Sequence, residues 1–209
     1  MDAIEKLTGG YRRFRDGRFQ ETRALYEDLV DHGQSPKVAM VSCSDSRVDP
    51  VTLLQADPGD LFVVRNVANL VPPCDEAGGY HGAGAALEYA VQHLQVEHIV
   101  VLGHAHCGGI RSLFGEEPDG PSFIPPWMKQ ARGAFQKVQE SMPEADEDSR
   151  AQACEQAAIL GSLENLMTFP FIRERVEAGS LHLHGWYIDI RGAVLHAYDA
   201  ATQRFAPVE

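Results

Sequence analysis

No stretch of the chain is apolar for the roughly 20 residues that a membrane-spanning helix needs, so no membrane partner is expected. The first residues, Met1-Asp2-Ala3-Ile4-Glu5-Lys6, lack the basic-then-apolar order of a signal peptide, and none is expected. Basic residues are also scarce, 18 against 30 acidic, for a formal charge of -12. Nucleic acid needs basic patches to neutralise its phosphates, so it is excluded as a partner, and the acidity is read as solubility. Cysteine is sparse: four in 209 residues do not make a disulfide scaffold, which fits a reducing, cytoplasmic setting. Internal repeats, linkers and low-complexity segments are missing too. What remains is an ordinary globular composition, 44% hydrophobic, in a chain long enough to bury a full sheet-based core. We expect one domain over residues 1–209, with residues 1–31 as an N-terminal helical arm.

The arm reads as two amphipathic helices, with Ile4, Leu7, Tyr11 and Phe14 at helical spacing. It either packs on a neighbouring subunit or covers its own core. Short apolar runs at 37–41, 61–64, 98–102 and 181–188 read as strands, and 193–198 as an antiparallel fifth. Helices are expected at 51–56, 82–94, 127–142, 148–169 and 171–177, with loops at 67–80 and 116–126. Strands alternating with helices imply an α/β fold. Its central sheet would hold four mostly parallel strands plus an antiparallel edge strand, flanked by helices.

Two motifs carry the chemistry, Cys43-Ser44-Asp45-Ser46-Arg47 and His104-Ala105-His106-Cys107-Gly108-Gly109. Each follows a strand, at the carboxyl end where open α/β sheets place their sites. Thiolate and imidazole are the favoured zinc donors, so Cys43, His104 and Cys107 are candidate ligands with one corner left open. Helix N–H groups after Cys107 would favour its thiolate. Two thiolates cancel the ion's charge, so a bound water needs further help to ionise. Asp45 can accept its hydrogen bond while Arg47 clamps the carboxylate. Alternatively, Asp45 and Arg47 only brace the turn, or Asp45 is itself a fourth ligand.

These motifs, together with Val64-Arg65-Asn66-Val67-Ala68-Asn69, resemble the β-class carbonic anhydrases, from about residue 34 to 187. The resemblance implies one zinc per subunit on Cys43, His104 and Cys107, with Asp45 and Arg47 as the catalytic dyad. It implies reversible hydration of CO2 to bicarbonate by zinc-bound hydroxide, in a homodimer or a dimer of dimers. Gln34 stands nine residues before Cys43, and Met40 stands where a bicarbonate-binding tryptophan marks the allosterically closing subgroup. Both place the chain in the plant-like (type I) subgroup, with Asp45 held by Arg47. The implied substrate pocket is Gln34, Phe62, Val67, Tyr89 and Gly108, with Gln34 and Tyr89 supplied by a partner chain and Phe62 and Val67 forming an apolar wall. Two other functions remain open: a carbonyl sulfide or carbon disulfide hydrolase on the same scaffold, and a non-enzymatic zinc-binding module. His106 is a candidate proton shuttle or a solvated surface residue. Cys74, Cys154, His182 and His184 are read as structural.

Overall fold

The computed structural model describes residues 2–75, 81–116 and 120–209. Met1 and parts of the two expected loops, residues 76–80 and 117–119, lie outside them. The arm is α1 (Ala3–Asp16) and α2 (Arg18–His32). Phe14, Phe19 and Tyr26 cluster between the two helices. Neither helix contains a buried residue. α2 touches the body of its own chain, with Leu29 against Gly59, but the apolar stripe of α1 is left open: Ile4, Leu7 and Tyr11 are 63%, 69% and 61% exposed.

Next come β1 (Val38–Cys43) and α3 (Pro50–Leu54). Proline suits the first turn of α3, and Asp49 caps it by accepting from the Thr52 N–H at 2.9 Å. After β2 (Leu61–Asn66), α4 (Gly82–Glu88) does not continue regularly to residue 94 but widens into a π-type turn at Tyr89–His93. β3 (His98–His104) and α5 (Gly108–Arg111) follow. The helix expected at 127–142 is two, α6 (Ile124–Met128) and α7 (Arg132–Ser141), joined by a tighter turn at Lys129–Ala131. The chain ends with α8 (Glu147–Leu166), α9 (Pro170–Glu177), β4 (His182–Asp189), β5 (Val194–Asp199) and β6 (Arg204–Pro207).

The six strands form one sheet in the order β2-β1-β3-β4-β5-β6. Its first four members are parallel and β5 is antiparallel, as expected. β6 is a strand the sequence reading omitted; it pairs antiparallel with β5, setting Phe205 opposite Tyr198.

β1 and β3 are central, and both of their faces are covered. Ala39, Met40 and Val41, like Ile99, Val100, Val101 and Leu102, are at most 2% exposed. α8 lies close against β3 and β4 because glycine makes room for it. A Cβ on Gly103 would stand 2.7 Å from Ile159 Cδ1, so that side chain would have to shift. The carboxyl ends of β1 and β3 thus sit side by side, with Ser42 paired to Leu102. Both chemical motifs leave the sheet at that edge.

Candidate metal centre

Cys43 closes β1 and His104 closes β3. Beyond His104 the backbone turns sharply. The Ala105 N–H donates to the Ile188 carbonyl at 2.9 Å, and His106 takes a left-handed φ of 58°. That turn brings Cys107 back beneath His104, at the start of α5. All three residues are buried, and their ligand atoms lie within 4.8 Å of one another.

The fit to a metal rests on an orphaned atom. His104 Nδ1–H donates to the Ala105 carbonyl at 2.9 Å, which fixes the tautomer. Its Nε2 lone pair is then aimed into the site, fully buried and without a hydrogen-bond partner. Such a group carries a desolvation penalty of about 1–3 kcal/mol unless something binds it. The donor set, two sulfurs and one imidazole nitrogen, is a zinc set.

The loops prepare the sulfurs for this role. Cys107 and the backbone N–H groups of Asp45 and Ala68 hold the Cys43 thiol well below its ordinary value, against burial. Ala68 is able to donate because it sits buried in the left-handed region, with φ at 63°. Cys107 is pushed up by the charge it shares with Cys43, while the N–H groups of Ile110 and Gly109 pull it down. The N–H groups expected after Cys107 are therefore in place.

Asp45 does not join the cluster of ligand atoms. Instead Arg47 holds it at both oxygens, with Nε to Oδ1 at 2.9 Å and Nη2 to Oδ2 at 2.6 Å. The Arg47 backbone N–H adds a bond to Oδ1 at 2.9 Å. The guanidinium keeps Asp45 far below the usual carboxylate range. Arg47 Nη2 also donates to the His106 carbonyl at 3.1 Å, tying the two motifs together.

The expected pocket residues divide. Val67 and Gly108 lie beside the metal ligands. A Cβ on Gly109, two residues after Cys107, would meet Val67 Cγ1 at 2.8 Å, whereas one on Gly108 would meet nothing within 4 Å. Phe62 and Val67 do not form one wall within a chain. Phe62 packs with the cluster of Ala39 and Val41 on one sheet face, Val67 with that of Met40 and Cys43. Phe62 also stands four residues, ~13 Å, along β2 from Asn66, the partner of Cys43. Tyr89 stacks near Phe62 with ring centroids 5.9 Å apart. Gln34 is exposed and precedes β1, at the same far end.

A family model described as carbonic anhydrase matches residues 38–195. The Arabidopsis thaliana protein named beta carbonic anhydrase 3 is 36% identical over 193 residues, 90% of this chain and 74% of its own length. The chain belongs to the β-class carbonic anhydrases. This β-carbonic anhydrase is also 36% identical to a Synechocystis carbonic anhydrase over 204 residues, 97% of this chain and 73% of that one. It matches the solved structure of the β-carbonic anhydrase CcaA with a TM-score of 0.89 and 36% identity, over 99% of this chain and 92% of that one. A tetrameric β-carbonic anhydrase from Sordaria macrospora matches with a TM-score of 0.84 and 29% identity, over 94% and 97% of the two chains.

Two residues of this β-carbonic anhydrase support the site without having been expected there. Arg65 donates to the Cys43 carbonyl at 2.9 Å and the Asp45 carbonyl at 2.7 Å, bracing the first motif. Glu155, 3% exposed on α8, braces the second. It accepts from the Cys107 N–H at 2.9 Å and from the Tyr187 hydroxyl at 2.9 Å. Burial pushes its carboxyl up, and those two donors oppose the rise. Glu155→Ala leaves both donors buried without an acceptor, so a loss of about 2–3 kcal/mol is expected in denaturant unfolding. Glu155→Gln keeps one acceptor and lets the Tyr187 hydroxyl turn to accept, so its loss should stay under about 1 kcal/mol. Equal losses in the two variants would remove the bracing role.

Proposed function

We infer that this chain catalyses the reversible hydration of CO2 to bicarbonate and a proton, with zinc held by Cys43, His104 and Cys107. The partnerless Nε2 of His104, facing two thiols within 4.8 Å, carries this reading. Zinc at that point supplies a Lewis acid that lowers the pKa of a water at its open corner. Asp45 supplies an acceptor beside it. Its carboxylate is ionised and cannot donate, so it orients a water by taking that water's hydrogen. Arg47 holds the carboxylate in that pose and away from the ligand atoms, the open arrangement expected of the plant-like subgroup. This pose also speaks against a closed, purely structural zinc module.

Val67 and Gly108 offer an apolar, open flank for an uncharged substrate. Gln34, Phe62 and Tyr89 lie too far along the strands to reach the metal end of their own chain. We assign them to the pocket of a second copy, in a homodimer or dimer of dimers. The uncovered α1 stripe of Ile4, Leu7 and Tyr11 and the tetrameric fungal relative support such an assembly. No helix among the described residues is long and apolar enough to cross a membrane. A cytoplasmic location is our reading from the thiols, which a reducing compartment keeps available to zinc.

The test is zinc content with stopped-flow CO2 hydration across pH. One zinc per chain and a rate that rises with pH are expected. Full activity without zinc, or no hydration by the fully loaded protein, overturns the reading. Sulfide release from carbonyl sulfide, run in parallel, should be slower than CO2 hydration.

A further inference from the structure

β3 carries a histidine at each end. His104 belongs to the metal centre, and His98 lies six residues away, ~20 Å along the strand. At that far end His98 pairs directly with His182, the first residue of β4. His184 lies two residues further on and therefore points to the same sheet face. The three imidazoles gather there. His98 Nδ1 is 3.1 Å from His184 Nε2. The His98 ring centroid is 5.4 Å from that of His182 and 5.2 Å from that of His184.

We propose that His98, His184 and His182 form a second metal site, for a divalent first-row transition cation such as Zn2+ or Ni2+. Imidazole nitrogens bound to one such ion at ~2.0–2.1 Å stand ~2.8–3.0 Å apart at right angles and ~3.3–3.4 Å apart at the tetrahedral angle. The His98 Nδ1 to His184 Nε2 separation of 3.1 Å, a hydrogen bond between the two rings that an ion would replace, falls between these values. The His182 nitrogen does not yet converge with the other two, and its exposed ring would have to turn to become the third ligand. Imidazole is a preferred donor for these cations. Burial, then any charge on His98 and His182, holds the His184 ring toward its neutral form, the one that binds metal. The neighbouring Glu97 is engaged by Lys37 at 2.7 Å, so the cluster is not neutralised by that carboxylate. The site shares no residue with the Cys43–His104–Cys107 centre, and its fate does not depend on the proposed reaction.

The experiment titrates the zinc-loaded protein with Zn2+, and separately with Ni2+, by calorimetry against a chelator of known affinity. A second equivalent per chain is expected in the wild type. It should weaken at least tenfold in His98→Asn and in His184→Asn, and less in His182→Gln, with CO2 hydration unchanged in all three. A wild-type titration that stops at one ion per chain overturns the proposal, whatever the variants do. So does a second equivalent that survives at full affinity in His182→Gln and in the His98→Asn/His184→Asn double variant.

Discussion

Replacing His104 with alanine is expected to empty the zinc site and to abolish CO2 hydration while leaving the sheet folded. Zinc sites of cysteine and histidine bind with roughly 10–16 kcal/mol near neutral pH. Losing one of three protein ligands forfeits about a third of that, ~3–5 kcal/mol, or 10²–10⁴ in affinity. The fold should survive because the hydrophobic clusters on both sheet faces do not depend on this side chain. The cavity left behind costs about 2–4 kcal/mol, which a chain with this much buried core can absorb. Cys43→Ala should behave alike, since its sulfur is one of the three converging atoms. Metal analysis, circular dichroism and stopped-flow rates on one preparation decide the matter. A folded His104→Ala protein that keeps one zinc and its activity would remove His104 from the ligand set. Stripping zinc from the wild type with a chelator should reproduce the loss, and added zinc should reverse it. The same addition should leave the variant inactive.

Much of this site was legible because it is local. His104 and Cys107 share one turn, and both motifs end apolar strands, so parallel pairing brings Cys43 to them. The Asp45–Arg47 pair was legible for the same reason: only Ser46 separates the two, and the clamp closes within one turn. Glu155 escaped notice because α8 is rich in Glu and Gln that read as a solvated face. Its signal lay in spacing. Ala151, Glu155, Ala158 and Ser162 recur at helical intervals and are all buried, so a carboxylate interrupts a stripe of small residues. β6 escaped because Arg204–Pro207 is short and half-buries only Phe205, and proline is tolerated at its edge position. Phe62, Tyr89 and Gln34 expose a different limit. The pocket proposed for them depends on how copies assemble, and strand periodicity within one chain carries no information about that.

Asp45→Asn is expected to keep one zinc per chain and to lower kcat/KM by roughly 10²–10³, the range for losing one positioned hydrogen-bonding group. The asparagine oxygen can still accept from the Arg47 N–H and Nε. Its amide, however, would face Arg47 Nη2, where a carboxylate oxygen now sits at 2.6 Å, donor against donor. The clamp opens on that side, and the group beside the metal gains hydrogens it can donate. Stability should hardly change. Arg47 is half exposed, and solvent screens an ion pair of that kind until it contributes little. A large rate loss with near-wild-type unfolding therefore isolates the chemical role from folding. The pH dependence separates it further. The folded Asp45 titrates below its ordinary value, so any stability it adds is present above that value and fades only as pH falls toward its depressed one. Near neutrality it is already ionised and gives the rate profile no inflection. Asp45→Asn should thus lower the profile's height and leave its midpoint in place. Wild-type rates would make Asp45 and Arg47 a mere brace of the turn. A lost inflection at full height would instead make Asp45 the titrating group, contrary to the charge that Arg47 imposes on it.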